Sequence, residues 1–152
     1  MPQLWHTGSM RHEGTGLTPE ARTVSPSGLK YPGKEVGVAL SKQDVSDIAD
    51  AFAKGSVAAR EAGFDGAQFH GAHGYLIDTF FWEGTNIRDD EYGGALEERT
   101  ACAVEIIEKS RAAVGNDFPL IIRLSQWKQQ DFEHKMATDP DKLLAFLKPM
   151  MD

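Results

Sequence analysis

A single cysteine, Cys102, occurs in the sequence, so an internal disulfide framework and any multi-cysteine zinc site are excluded. Long apolar runs are missing as well. No segment approaches the ~18 residues of a membrane-spanning helix. No basic stretch followed by an apolar run opens the chain as a secretory signal would. Positive charge is scarce: 16 Lys and Arg face 23 Asp and Glu, for a net charge of −7. That balance argues against a phosphate backbone as ligand, which calls for clustered basic side chains. The expectation is a cytoplasmic protein with neither nucleic acid nor membrane as partner. What is present, 41% hydrophobic and 26% charged residues, is the composition of a globular chain. Its 152 residues suffice for one ordinary domain, burying roughly 70% of the surface that the unfolded chain exposes.

From Thr7 to Lys34, Gly, Pro, Ser and Thr crowd out any hydrophobic period, which predicts a long irregular loop. Ser41 and Asp44 then form an S-x-x-D capping signature ahead of Val45, Ile48, Phe52 and Ala59 at helical spacing. Gly63 is placed to end that helix. Phe64 to His70 reads as a short strand. Ala95 to Val114 reads as a second helix, with Leu96, Ala103, Ile106 and Ile107 on one side and Gly115 after it. Pro119 to Leu124 is nearly continuous in apolar residues, as a strand buried on both faces would be. Leu143 to Met151 reads as a third helix. With Gln3 to His6 as an opening strand, the order is strand then helix, three times over. Such alternation predicts an α/β fold with a parallel sheet. An open three-stranded sheet leaves two unpaired edges, so the sequence is expected to be a section of a larger fold. The isolated chain is expected to cover its edges by forming a homo-oligomer.

Polar residues gather after the strands: His6 after the first, His70, His73 and Tyr75 after the second, Arg123 and Ser125 at the end of the third. In a parallel α/β barrel that end carries the active site. The stretch from Gly71 to Gly94 is a long insertion there. His70-Gly71-Ala72-His73-Gly74-Tyr75 is the densest cluster. Its glycines let the chain bend so that both imidazoles face one side, where two donors can hold one carbonyl oxygen. Tyr75 could then supply a proton. Taken singly, any one of these reads better as an ordinary polar loop residue. A metal reading would join His70 and His73 to His6 or Asp78, although no HExxH motif accompanies them. Arg123, at the end of an apolar strand, calls for an anionic ligand or a carboxylate such as Asp65. Phe80, Phe81 and Trp82 read as packing residues or as the wall of a pocket. Cys102, inside a helix, reads as core. Asp89, Asp90 and Glu91 read as a solvated loop or a helix-start cluster.

Five segments in order and spacing carry a resemblance: Gln3-Leu4-Trp5-His6-Thr7-Gly8; Ala62-Gly63-Phe64-Asp65-Gly66; His70 to Asp78; Asn86 to Gly94, read Asn-Ile-Arg-Asp-Asp-Glu-Tyr-Gly-Gly; and Ile122-Arg123-Leu124-Ser125. Together they resemble the old yellow enzyme family of flavin-dependent NAD(P)H oxidoreductases, from Gln3 to about Pro149. The resemblance implies a partial (β/α)8 TIM barrel across residues 1–152, about three βα units with parallel strands. It also implies non-covalent FMN as cofactor and NAD(P)H as reductant. The residues matching Gln3 and Arg123 bind the pyrimidine edge of the flavin in that family, where a fixed positive charge favours the reduced, anionic form. Those matching His70 and His73 hydrogen-bond the oxygen of an activated alkene, typically an enone. The tyrosine matching Tyr75 protonates one alkene carbon while hydride reaches the other. Some members carry asparagine where His73 stands. This sequence departs from many members at Ser9, where they have arginine. It matches only the third to fifth βα units, without the last strands whose loops grip the FMN phosphate. A chain with those motifs is therefore expected either to serve as the centre of an FMN-dependent ene-reductase or, by itself, to be an inactive fragment. A metal-dependent hydrolase on the same barrel is the third reading.

Overall fold

The computed structural model describes residues 1–151. The chain opens on β1 (Gln3–Leu4), followed by a 3-10 turn over Gly8–Met10. The segment read as an irregular loop and the few residues after it hold four short strands: β2 (Val24–Ser25), β3 (Leu29–Tyr31), β4 (Lys34–Glu35) and β5 (Val38–Ala39). β2 pairs in parallel with β5, and β3 pairs antiparallel with β4. Two- and three-residue ladders carry no hydrophobic period, so the composition shows only their turns. Arg88 ties this segment down by donating to the carbonyl oxygens of Pro26, at 2.8 Å, and Leu40.

Helix α1 (Lys42–Glu61) begins where its cap predicts. The Asp44 amide donates to Ser41 Oγ at 3.1 Å, and the Ser41 amide donates back to the Asp44 carboxylate at 2.9 Å. This reciprocal box satisfies two orphan donors of the first turn. Val45, Ala49, Phe52, Ala53, Ser56 and Ala59 form its buried stripe. Gly63 follows with φ +81°. β6 (Ala67–His73) starts three residues later than predicted, because Phe64 remains half exposed, ahead of the ladder. Within the expected insertion lies α2 (Leu76–Phe81), every residue of it buried. The second predicted helix is shorter than its period suggested: a 3-10 turn over Glu98–Thr100 leads into α3 (Ala101–Val114). β7 (Leu120–Lys128) runs four residues past the apolar stretch, and α4 (Pro140–Met151) closes the described chain.

β1, β6 and β7 form one parallel sheet in the order β1-β6-β7. The register aligns Gln3 with Gln68 and Gln68 with Ile121, then His70 with Arg123. Side chains alternate across a strand, so these residues share one face. Leu4, Phe69, Leu120, Ile122 and Leu124 occupy the other and pack into the core beneath the helices. There Phe69 meets Phe52 of α1 edge to face at 5.8 Å, and Phe81 meets Phe146 of α4 at 4.9 Å. The expectation that β7 is buried on both faces does not hold among the described residues. Helices cover one side only, and Ile121 and Arg123 are exposed on the other.

Candidate active site

The open face at the carboxyl ends of the strands gathers the predicted residues. His70 and Arg123 sit side by side across the β6–β7 ladder. Beyond Gly71 the register shifts, so that His73 pairs with Lys128 rather than Gln126. A bulge of this kind bends the strand and re-aims its side chains. His73 also takes a left-handed backbone, φ +63°, alone among the described non-glycine residues, and Gly74 follows at φ +83°. The two together turn the chain sharply into Tyr75 at the N-terminus of α2. The ring of Tyr75 lies 5.1 Å from that of His70 and 4.9 Å from that of Trp5, and the His70 and His73 rings are 5.7 Å apart. Three strands thus deliver one cluster.

Protonation states follow from the partners. Burial is the main cause holding His70 and His73 below the usual histidine value of 6.5, and the Arg123 guanidinium adds repulsion to both. Both are neutral near pH 7, each with one donor and one acceptor nitrogen. His73 Nε2 lies 3.2 Å from an Arg123 nitrogen. A guanidinium only donates, so Nε2 accepts and the proton of His73 resides on Nδ1. That Nδ1, like His70 Nδ1, is buried and has no hydrogen-bond partner. Across the face the Gln3 amide donates to the Gln68 side-chain oxygen. His6 stands apart: its Nδ1 accepts from the Gly8 amide at 3.0 Å, fixing the turn that packs against α2.

Other expectations need correction. Arg123 is not a buried arginine, and among the described residues no carboxylate, Asp65 included, pairs with it. Asp78 is no free ligand: both its side chain and that of Lys128 are fully buried, and they pair at 2.5 Å. Among the described residues no group of three or more His, Cys, Asp or Glu is placed to hold a metal. The run Asp89–Glu91 is not simply solvated either, since largely buried Arg88 and Asp90 pair at 2.5 Å. Phe80, Phe81 and Trp82 are buried core, as is Cys102, whose thiol burial pushes far up. Residues that escaped the sequence reading are Gln68, Lys128 and Gln129, together with Trp127, which stacks on His73 at 4.3 Å and 26°. For the last three of these the only signal was an aromatic and a lysine inside a polar run, and Gln68 stood as one residue of a predicted strand.

Against known proteins, residues 1–148 match the model of the NADH:flavin oxidoreductase / NADH oxidase family. The chain belongs to that family. It is 34% identical over 151 residues to a NADPH dehydrogenase of Clostridium acetobutylicum, which covers 99% of this chain and 42% of that protein. With 12-oxophytodienoate reductase 1 of Oryza sativa subsp. japonica it shares 36% over 152 residues, or 95% of this chain and 39% of the relative. The solved old yellow enzyme homologue from Zymomonas mobilis superposes with a TM-score of 0.76 at 32% identity, covering 97% of this chain and 42% of that one. The fold is accordingly a section of the old yellow enzyme TIM barrel, and the chain spans about two-fifths of the length of these relatives. FMN is the cofactor of the family, with NAD(P)H as reductant. No helix among the described residues is long and apolar enough to cross a membrane.

Proposed function

We propose that this chain supplies the alkene-binding and proton-donating centre of an FMN-dependent NAD(P)H oxidoreductase acting on activated alkenes of the enone type. The observation that carries the reading is the clustering of the His70, His73 and Tyr75 rings at the carboxyl end of β6, 5.7 Å and 5.1 Å apart, beside Arg123. Two neutral imidazoles beside a phenol are a donor set suited to the oxygen of an activated alkene. The donor set fits a flavin too. Gln3 and Gln68 offer amide groups, and Arg123 offers a cation that no carboxylate neutralises among the described residues.

Gln3 and Arg123 would hold the pyrimidine edge of FMN, where the guanidinium charge stabilises negative charge as it develops. Bound FMN, once reduced by NAD(P)H, supplies the hydride. The imidazoles of His70 and His73 hydrogen-bond the carbonyl oxygen of the alkene, which polarises the double bond. The Tyr75 hydroxyl gives its proton to the carbon next to the activating group. The neutral state of both imidazoles matters here, because an imidazolium would give its own proton to the oxygen.

Titrating the purified chain with FMN while recording the visible spectrum tests the binding half. Saturable, stoichiometric perturbation of the flavin bands is expected, and unchanged bands at high FMN would remove cofactor binding from this chain. In the FMN-loaded protein Tyr75→Phe should slow alkene reduction by roughly 10²- to 10⁴-fold while sparing reduction by NAD(P)H. Equal loss in both half-reactions would strip Tyr75 of the donor role.

A further inference from the structure

Four consecutive residues, the last two of β7 and the two that follow it, reach back to the His73–Tyr75 turn or to Asp78 behind it, about fifty positions upstream in the sequence. Trp127 stacks on the His73 ring. Lys128 Nζ pairs with Asp78, whose other carboxylate oxygen accepts the Gly74 amide at 2.6 Å. The Gln129 amide nitrogen of the backbone donates to the His73 carbonyl at 3.3 Å. Gln130 Nε2 donates to the Gly74 carbonyl at 2.9 Å. The turn is thereby held by both its amide and its carbonyl groups in a backbone conformation that it would not keep unsupported. One contact reaches the reacting group itself: Gln129 Nε2 lies 3.1 Å from the Tyr75 hydroxyl oxygen.

We propose that Gln129 is a positioning residue for Tyr75, donating its side-chain amide to the phenolic oxygen so that the phenolic proton is left free for the substrate. The inference rests on the donor role of Tyr75 given above. A phenol carries one donor hydrogen and two acceptor lone pairs. With the amide N–H on one lone pair, the hydroxyl hydrogen has no acceptor along that direction and rotates toward the open face. An acceptor in the place of the amide would do the opposite and capture the proton. The strip from Trp127 to Gln130 fixes where the amide starts from, and the Gln129 side chain is exposed, so replacing it leaves the core intact.

The test uses the FMN-loaded protein and follows the two half-reactions separately in wild type, Gln129→Ala, Gln129→Glu, Tyr75→Phe and the Gln129→Ala/Tyr75→Phe double variant. Reduction by NAD(P)H is expected to be unchanged in all of them. The limiting rate of alkene reduction should fall roughly tenfold in Gln129→Ala, with the alkene concentration for half-saturation unmoved. It should fall further in Gln129→Glu, because a carboxylate only accepts. The double variant should be no slower than Tyr75→Phe, as expected when one residue acts through the other. The side-chain amide resonance of Gln129, followed without turnover, should move in Tyr75→Phe while that of Gln126 stays. Wild-type rates in Gln129→Glu and Gln129→Ala, with Tyr75→Phe slow, would overturn this inference and leave the donor role standing. Wild-type rates in Tyr75→Phe would overturn the donor role itself.

Discussion

Alternate residues of the same three strands build two unlike surfaces. On the helix side Phe69 is wholly buried and meets Phe52, and Leu120, Ile122 and Leu124 pack around it. On the open side Trp5 is 53% and Ile121 44% exposed, and the company is His70, His73, Arg123 and two glutamines. Burying apolar area is the main stabilising term in folding, so the helix side determines whether the strands form. The open side is free to carry groups that cost stability and gives them a rigid mount. Division of labour within one strand, at single-residue spacing, is the lesson of this sheet.

The sharpest way to break the comparison is Phe69→Ala. It should cost about 3–5 kcal/mol in urea unfolding, by analogy with other large-to-small changes in cores. A loss below about 1 kcal/mol would mean that the helix side is not the core. The next effect is acid sensitivity, which the open side shares with two histidines elsewhere. His70 and His73 on the open side, and His6 and His134 away from it, all titrate below 6.5 in the fold, chiefly because burial disfavours the charged form. Their contribution is complete above the unfolded value near 6.5 and is lost as pH falls through the lower folded values. Unfolding midpoints measured from about pH 8 down to about pH 5 should therefore drop, and less so in a His70→Gln/His73→Gln variant. A flat profile in wild type would show those rings to be solvated.

Ser41→Ala should cost about 1 kcal/mol through the lost helix cap, a purely local effect that favours neither face. An unaltered melting curve would mean that tertiary packing alone fixes the start of α1. Smallest of all, Ile121→Thr should change stability by less than about 0.5 kcal/mol while the open face stays uncovered. The two unpaired edges, β1 and β7, lead us to propose that the isolated chain self-associates. If a second copy lies on the open face, Ile121→Thr will instead cost as much as a core change and lower the mass seen by light scattering. A monomeric mass for the wild-type chain would overturn self-association.

Elements with a local cause could be read from the sequence. The capping box of α1 lies within four residues, and Gly63 and Gly115 mark helix ends wherever they fall. α2 could not be read, because Leu76–Phe81 spans fewer than two turns and buries its polar Asp78 and Thr79 along with the rest, so no period shows. The full length of β7 was hidden for a different reason: Ser125, Gln126, Trp127 and Lys128 are polar or bulky, and only the pairing of Lys128 with His73, past the register shift, carries the strand over them. The site divides in the same way. His70, His73 and Tyr75 are close in sequence and Arg123 ends an apolar stretch, so their convergence followed from strand order. Lys128 and Gln129 act on residues about fifty positions away, and a lysine in a polar run gives no hint that it is fully buried.

The left-handed backbone at His73 sets a short alphabet for that position. Glycine adopts it freely and would relax the chain, but it carries no ring and no donor. β-Branched and large aliphatic residues are excluded by their Cβ substituents. Asparagine is among the few side chains that tolerate this conformation and still offer an N–H. Selection for stability alone and selection for turnover should therefore drive position 73 apart, the first toward glycine, the second toward histidine or asparagine. A deep mutational library sorted once by protease resistance and once by turnover would separate the two pressures at a single codon.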